Sequence, residues 1–207
     1  MSDPVTAAAS GTGNLTNKYS GGNPIVRTLT ERFLQRVDSI IPDETHTWTA
    51  ADIGTGEGIV AERLAPRFRH LIGVDLPASH LREQWLHRSA DFVEADAHSL
   101  PFPTSSIDVV FCLEVLEHVV DPERAIRELA RVARRALIVS VPREPLFRLS
   151  NLAAGRYVRS GGNTPGHINH WSRAAFTRAV APHAVITQVE SPYPWTLVLA
   201  TPPRTTP

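Results

Sequence analysis

A chain of 207 residues with 42% hydrophobic content can bury one sizeable core and is too short for two full domains. Its 21 basic and 21 acidic residues cancel, so no overall field favours a phosphate backbone and nucleic acid is not an expected partner. The lone Cys112, set among Val109, Val110, Phe111 and Leu113, reads as a reduced, buried thiol. No run approaches the roughly 18 apolar residues of a membrane span, and residues 1–17 lack both the basic start and the apolar run of a signal peptide. The expectation is a cytoplasmic protein without membrane insertion.

Residues 1–22, rich in Ser, Thr, Gly and Asn, read as a flexible segment that orders on a ligand, and residues 23–207 as the folded domain. Asn23 and Pro24 suit a helix start, and Val26, Leu29, Phe33, Val37 and Ile40 share one face before Pro42 ends the helix. Strands are then expected over Trp48–Ile53 and His70–Val74 around a helix over Glu57–Ala65, which makes a βαβ unit. A helix over Pro77–His87 and short strand over Phe92–Glu94 follow, and then a buried strand over Ile107–Leu113. Asp121 caps a helix with Pro122 at its first position and Ile126, Leu129, Ala130 and Ala133 on its inner face. The unbroken apolar run Ala136–Val141 suits a parallel strand buried on both faces. Residues 143–170 show no clean period and read as a helix and a long functional loop. Trp171–Val180 is expected to be helical. Ala184–Glu190 and Trp195–Ala200 are strands whose short link makes them antiparallel. The expected fold class is α/β: one Rossmann-like, doubly wound domain, mostly parallel with one antiparallel strand.

The sharpest motif is Asp52-Ile53-Gly54-Thr55-Gly56-Glu57-Gly58, directly after the first strand. Glycines there let the backbone turn tightly and approach a ligand that would clash with a Cβ. A dinucleotide fingerprint wants its third glycine or alanine where Ile59 stands, so the spacing argues against that ligand. Asp75 closes the second strand, where a carboxylate can accept both hydroxyls of a ribose, and Asp96 with Ala97 closes the third.

These stretches, with GVDLP, EADAHSLPFPTSSIDVVFCLEVLEHV and ALIVSVPRE, resemble the class I S-adenosylmethionine-dependent methyltransferases over roughly residues 48–142. The likeness is greatest to the small bacterial group with quinone, lipid and sugar acceptors. The resemblance implies the class I methyltransferase fold, with S-adenosylmethionine as cofactor. It implies that Gly54, Thr55 and Gly56 line the methionine portion and that Asp52 lies beneath the amino group. Asp75 would hold the ribose, Leu76 would pack on adenine, and Asp96 with Ala97 would meet the adenine edge. Leu113 would offer its carbonyl to the cofactor ammonium.

Methyl transfer requires mainly alignment and exclusion of water, but a hydroxyl acceptor must also lose its proton. Glu114, Glu117 and His118 stand at i, i+3 and i+4, so a helix there would put all three on one face above the sheet. His118, His167 and His170 are the candidate bases. The stretch Asn163–Ser172 offers Asn169 and Trp171 for a substrate ring, and Tyr19 is the candidate lid residue. Glu117, His118 and His170 could hold a divalent ion such as Mg²⁺, although Mg²⁺ prefers oxygen ligands. The leading expectation is methylation of a sugar hydroxyl or of a glycosylated small molecule. The alternatives are a lipid-like or quinone acceptor, or a silent chain that binds the cofactor only.

Overall fold

The computed structural model describes residues 24–203. One seven-stranded sheet runs through it in the order β3-β2-β1-β4-β5-β7-β6. The strands are β1 (Thr49–Ile53), β2 (His70–Asp75), β3 (Asp91–Glu94), β4 (Ile107–Leu113), β5 (Ala133–Pro142), β6 (Val185–Glu190) and β7 (Trp195–Thr201). The helices are α1 (Pro24–Ile40), α2 (Ile59–Leu64), α3 (Ser79–Trp85), α4 (Pro122–Val132), α5 (Leu146–Ala153) and α6 (Arg173–Val180). The first five strands pair in parallel, and β7 lies antiparallel to both β5 and β6. This is the expected α/β class with its single antiparallel strand.

Alternation along a strand sends successive side chains to opposite faces. In β4, Val110 and Cys112 join Ile126 and Leu129 of α4 and Phe176 and Val180 of α6 in one core. Val109 and Phe111 join Phe33, Leu34 and Val37 of α1 and Leu64 of α2 in the other. A strand apolar on both sides therefore implies a sheet covered on both sides, which is why β4 carries no polar alternation beyond Asp108. Among the described residues, no helix is long and apolar enough to cross a membrane.

Several element boundaries differ from expectation for local reasons. β1 begins at Thr49 rather than Trp48. α2 begins at Ile59 rather than Glu57, because Gly58 takes φ +77 and holds the loop open to that point. α3 is confined to Ser79–Trp85. β5 begins at Ala133, which pairs with Ile107 and so leaves the helix to which its apolar side chain seemed to belong. Arg134 and Arg135 hide this strand start in the sequence. Both guanidiniums turn to the buried Asp108 carboxylate, which also accepts the Thr49 N–H at 3.0 Å. Ser172 caps α6 by accepting the Ala175 N–H, which leaves Trp171 outside the helix.

Candidate active site

The carboxyl ends of β1, β2 and β4 converge on the glycine loop. The Gly54 and Thr55 N–H groups both donate to the Val74 carbonyl, at 2.7 and 3.0 Å, and fold the loop back over β2. Gly54 takes φ +78, and a Cβ on it would stand 2.2 Å from Val115 Cγ2, so the turn after β4 packs directly on this glycine. Trp85 of α3 donates its Nε1–H to the Gly56 carbonyl at 2.8 Å and stacks on Phe92 with ring centroids 4.9 Å apart.

Two acids flank the loop. Asp52 is buried and accepts the Thr55 hydroxyl at 2.8 Å. Burial pushes its carboxyl up to about 7, against the Thr55 hydrogen bond and with the nearby Asp75 adding to the rise. Asp75 accepts the Gly56 N–H on Oδ2 at 2.6 Å and the Leu76 N–H on Oδ1 at 2.7 Å. Burial raises its carboxyl as well, and the two N–H groups only partly offset it. Leu76, just beyond, is 55% exposed. Ala97 is half-buried, while Asp96 is exposed and accepts the His98 N–H at 2.8 Å. Burial works against the charge of Asp96, but the His98 N–H and ring hold its carboxyl below the usual range. Leu113 ends β4 half-buried at the same rim.

After Leu113 the chain makes a turn where a helix was expected. Glu114 takes φ +61, a conformation no helix contains, and α4 starts only at Pro122. The Glu114 carboxylate turns away to Ser140 Oγ and to Trp195 Nε1–H, while Glu117 points into a separate buried position. The 163–171 loop is fastened to this turn. The Ile168 and Asn169 N–H groups donate to the Glu117 carbonyl at 2.9 and 3.0 Å. The Asn169 side-chain amide donates to the Leu116 and Val119 carbonyls at 3.0 and 2.7 Å.

This clamp brings His118 and His167 edge to face with centroids 4.9 Å apart, and Phe147 of α5 stacks on His167 at 5.6 Å. His118 Nδ1 lies 2.9 Å from the Gly166 carbonyl, which can only accept, so Nδ1 carries a proton. Nε2 lies 4.0 Å from the buried Glu117 carboxylate. Ligand-capable atoms of Glu117, His118 and His167 all fall within 4.8 Å of one another.

The metal set expected from sequence included His170 in place of His167. His170 is exposed and pairs instead with Asn163 Oδ1 at 2.9 Å, because the loop turns at Gly166 and presents the earlier histidine to the turn. Asn169 spends its amide donors on the turn carbonyls, and Trp171 packs on Phe176 with centroids 5.8 Å apart, so neither is placed as a ring platform for substrate. Tyr19 and the whole 1–22 segment lie outside the described residues.

Residues 51–138 match the family model of a methyltransferase domain. A ubiquinone biosynthesis O-methyltransferase of Aeromonas salmonicida is 34% identical over 117 residues, which cover 52% of this chain and 49% of that protein. A probable S-adenosylmethionine-dependent methyltransferase of Mycobacterium tuberculosis is 36% identical over 107 residues, covering 48% of this chain and 38% of that protein. The chain thus spans about half the length, or less, of the relatives it matches. Among solved structures, the magnesium protoporphyrin IX methyltransferase of Synechocystis, determined with bound SAH, superposes with a TM-score of 0.65 at 20% identity. The superposition covers 89% of this chain and 90% of that one. A methyltransferase of Haloferax volcanii in complex with the Trm112 activator gives a TM-score of 0.70 at 16% identity, covering 84% and 90%.

The fold is that of the class I methyltransferases.

Within that methyltransferase fold, two supports of the glycine loop escape a reading by motif. Val115 stands between Glu114 and Leu116 and carries no polar signal of its own. Trp85 did offer one, since a tryptophan on the inner side of a helix must find an acceptor for its N–H, and the nearest loop carbonyl is Gly56.

Proposed function

We propose that this chain is an S-adenosylmethionine-dependent methyltransferase acting on a hydroxyl of a small, flat, quinone-like acceptor. The observation that carries the reading is His118: the Gly166 carbonyl fixes its tautomer, and the buried Glu117 carboxylate lies 4.0 Å from its basic Nε2. The fit of the cofactor rests on the glycine loop and on Asp75. Each carboxylate oxygen of Asp75 accepts one backbone N–H and keeps a lone-pair direction for a ribose hydroxyl, with the exposed Leu76 beside it for adenine. When bound, the cofactor supplies a methyl group already activated by its sulfonium charge. The chain does the rest. His118 Nε2 would take the acceptor's hydroxyl proton as the oxygen displaces the sulfonium sulfur from the methyl carbon, the C–S bond breaking to leave a neutral thioether, and Glu117 would stabilise the imidazolium that results.

A quinone-like acceptor is favoured over a sugar for two reasons. Asn169 and His170, the donors a sugar ring would need, are engaged within the protein, whereas Phe147 and Ile168 offer apolar surface beside His167. The Aeromonas relative, named for ubiquinone biosynthesis, points the same way over half the chain. A second reading adds a divalent ion held by Glu117, His118 and His167. One oxygen and two nitrogens suit zinc better than Mg²⁺, and the ion would lower the pKa of the hydroxyl directly.

The test is a mass-spectrometric screen with labelled cofactor against catechols, hydroquinones and sugars, with and without a chelator. Gain of one methyl on a ring hydroxyl is expected, with at least a roughly hundredfold loss of turnover in His118→Ala at unchanged cofactor affinity. Transfer to sugars alone refutes the acceptor class, and loss of activity on chelation selects the metal reading.

A further inference from the structure

Arg143 stands one residue past β5 and is half-buried. Among the described residues it is the one arginine with a buried guanidinium nitrogen, Nε, that has no hydrogen-bond partner. It makes no ion pair with a described acid. Its two terminal nitrogens are unpartnered as well but not shut off from solvent, so a ligand can reach the guanidinium from that side. A parallel β-bridge sets Trp171 directly beside it, and Trp171 Nε1 is likewise buried without a partner. Trp85 and Trp195, by contrast, donate their indole N–H groups to the Gly56 carbonyl and to Glu114.

The two orphaned donors lie on the side of the sheet that holds the His118 turn. Arg143 continues the alternation of Val139 and Val141, whose side chains enter the core under α4 and α6. Trp171 packs on that same core against Phe176, as do Val115 and Val119 of the turn that carries His118. The Phe147 N–H donates to the Arg143 carbonyl at 3.0 Å, and the Phe147 ring stacks on His167. Packing gives no reason for these side chains. Methionine and phenylalanine would fill the same space without leaving a charged and a neutral donor unsatisfied.

We propose that Arg143 and Trp171 form a binding site for a carboxylate. Both offer donors only, so the ligand must supply adjacent acceptors, and a carboxylate presents two oxygens in one plane to a guanidinium. One guanidinium beside a neutral indole matches a single negative charge. A phosphate group carries nearly two at neutral pH and would keep one unneutralised in a half-buried place. The terminal nitrogens of Arg143 meet the anion first, and the indole N–H joins as the two side chains adjust around it. That this carboxylate belongs to the methyl acceptor rests on the acceptor reading above; the anion site itself does not.

The experiment is titration of the full chain, isotope-labelled at tryptophan nitrogen, with benzoate, protocatechuate, catechol and inorganic phosphate, followed by calorimetry and by the indole N–H resonances. Benzoate and protocatechuate should move the Trp171 resonance, assigned by its loss in Trp171→Phe, and leave those of Trp85 and Trp195. Arg143→Gln should weaken protocatechuate about 10- to 100-fold, the range for loss of charge-assisted hydrogen bonds, and Trp171→Phe about 3- to 10-fold. Arg143→Lys, which keeps the charge but not the fork, should fall between Arg143→Gln and the unaltered chain. The urea midpoint of Arg143→Gln should hold, because Nε has no partner to lose. In turnover with labelled cofactor, Arg143→Gln should raise KM for protocatechuate by a like factor with kcat nearly kept, and erase its preference over catechol. A Trp171 resonance that benzoate does not move, or equal protocatechuate affinity in Arg143→Gln, overturns the proposal. Tighter binding of phosphate overturns the choice of a carboxylate. Binding through Arg143 with no methyl passed to any phenol supports the site while it refutes the acceptor reading.

Discussion

Replacing Gly54 by alanine should destabilise the protein by about 2–5 kcal/mol, from two separable causes. The φ of +78 costs any residue with a Cβ about 1–2 kcal/mol. The new methyl would also stand 2.2 Å from Val115 Cγ2, and relieving such overpacking costs about 1–3 kcal/mol. Gly155 isolates the first cause, since it takes φ +67 with nothing within 4 Å of a built Cβ. Gly155→Ala should therefore cost only about 1–2 kcal/mol. Val115→Ala made together with Gly54→Ala should recover the packing share, seen as a coupling of roughly 1–3 kcal/mol in a double-mutant cycle. Urea unfolding followed by circular dichroism measures all four variants. If Gly54→Ala costs no more than Gly155→Ala, Val115 does not press on the loop and the contact between the β4 turn and the glycine loop is not a constraint.

Asp75→Ala should weaken S-adenosylmethionine binding by about 1–3 kcal/mol in calorimetry through loss of charge-assisted hydrogen bonds to the ribose, and unchanged affinity removes the ribose assignment. Asp52, raised to about 7 by burial, should ionise when the cofactor's ammonium arrives. Affinity should then rise as pH increases through about 7, with a proton released that calorimetry in two buffers detects and Asp52→Asn abolishes. For Asp108, burial raises the carboxyl, but the Thr49 N–H with Arg134 and Arg135 outweighs it and leaves the group below its usual range. Its contribution to stability is therefore full above pH ~4 and is lost as pH falls through the depressed value, so Asp108→Asn should flatten the acid limb of a stability–pH curve.

The sheet was legible because its signals are local: apolar runs flanked by Gly, Pro and Asp give β1, β2 and β4, and the Asp121-Pro122 pair marks the start of α4. The positions of Asp75 and Asp96 were legible for the same reason, since both follow directly from where strands end. The turn after β4 and the loop clamped to it were not. Spacing in Glu114-Val115-Leu116-Glu117-His118 fits a helix, and only the left-handed backbone at Glu114 sends its two carboxylates apart. His167 and His170 are chemically equal in sequence. The choice between them is made by Asn169, which grips the carbonyls of Leu116 and Val119 more than 40 positions earlier in the chain, a pairing that no window of sequence contains. The start of β5 was masked by two arginines whose partner, Asp108, stands on the neighbouring strand.

The strand order carries a consequence for synthesis. β7 occupies the slot between β5 and β6, pairing Leu137 with Ala200 on one side and Val185 with Thr201 on the other. Chain emerging from the ribosome in order delivers β5 and then β6 before anything can join them. The edge of β5, which carries the apolar run Leu137–Val141, stays open throughout that interval. Residues 195–201 thus close that edge late, and β6, whose pairing in the sheet is with β7, joins the sheet through them. A nascent chain stalled just before them holds an unpaired apolar strand, the form most exposed to pairing with another copy.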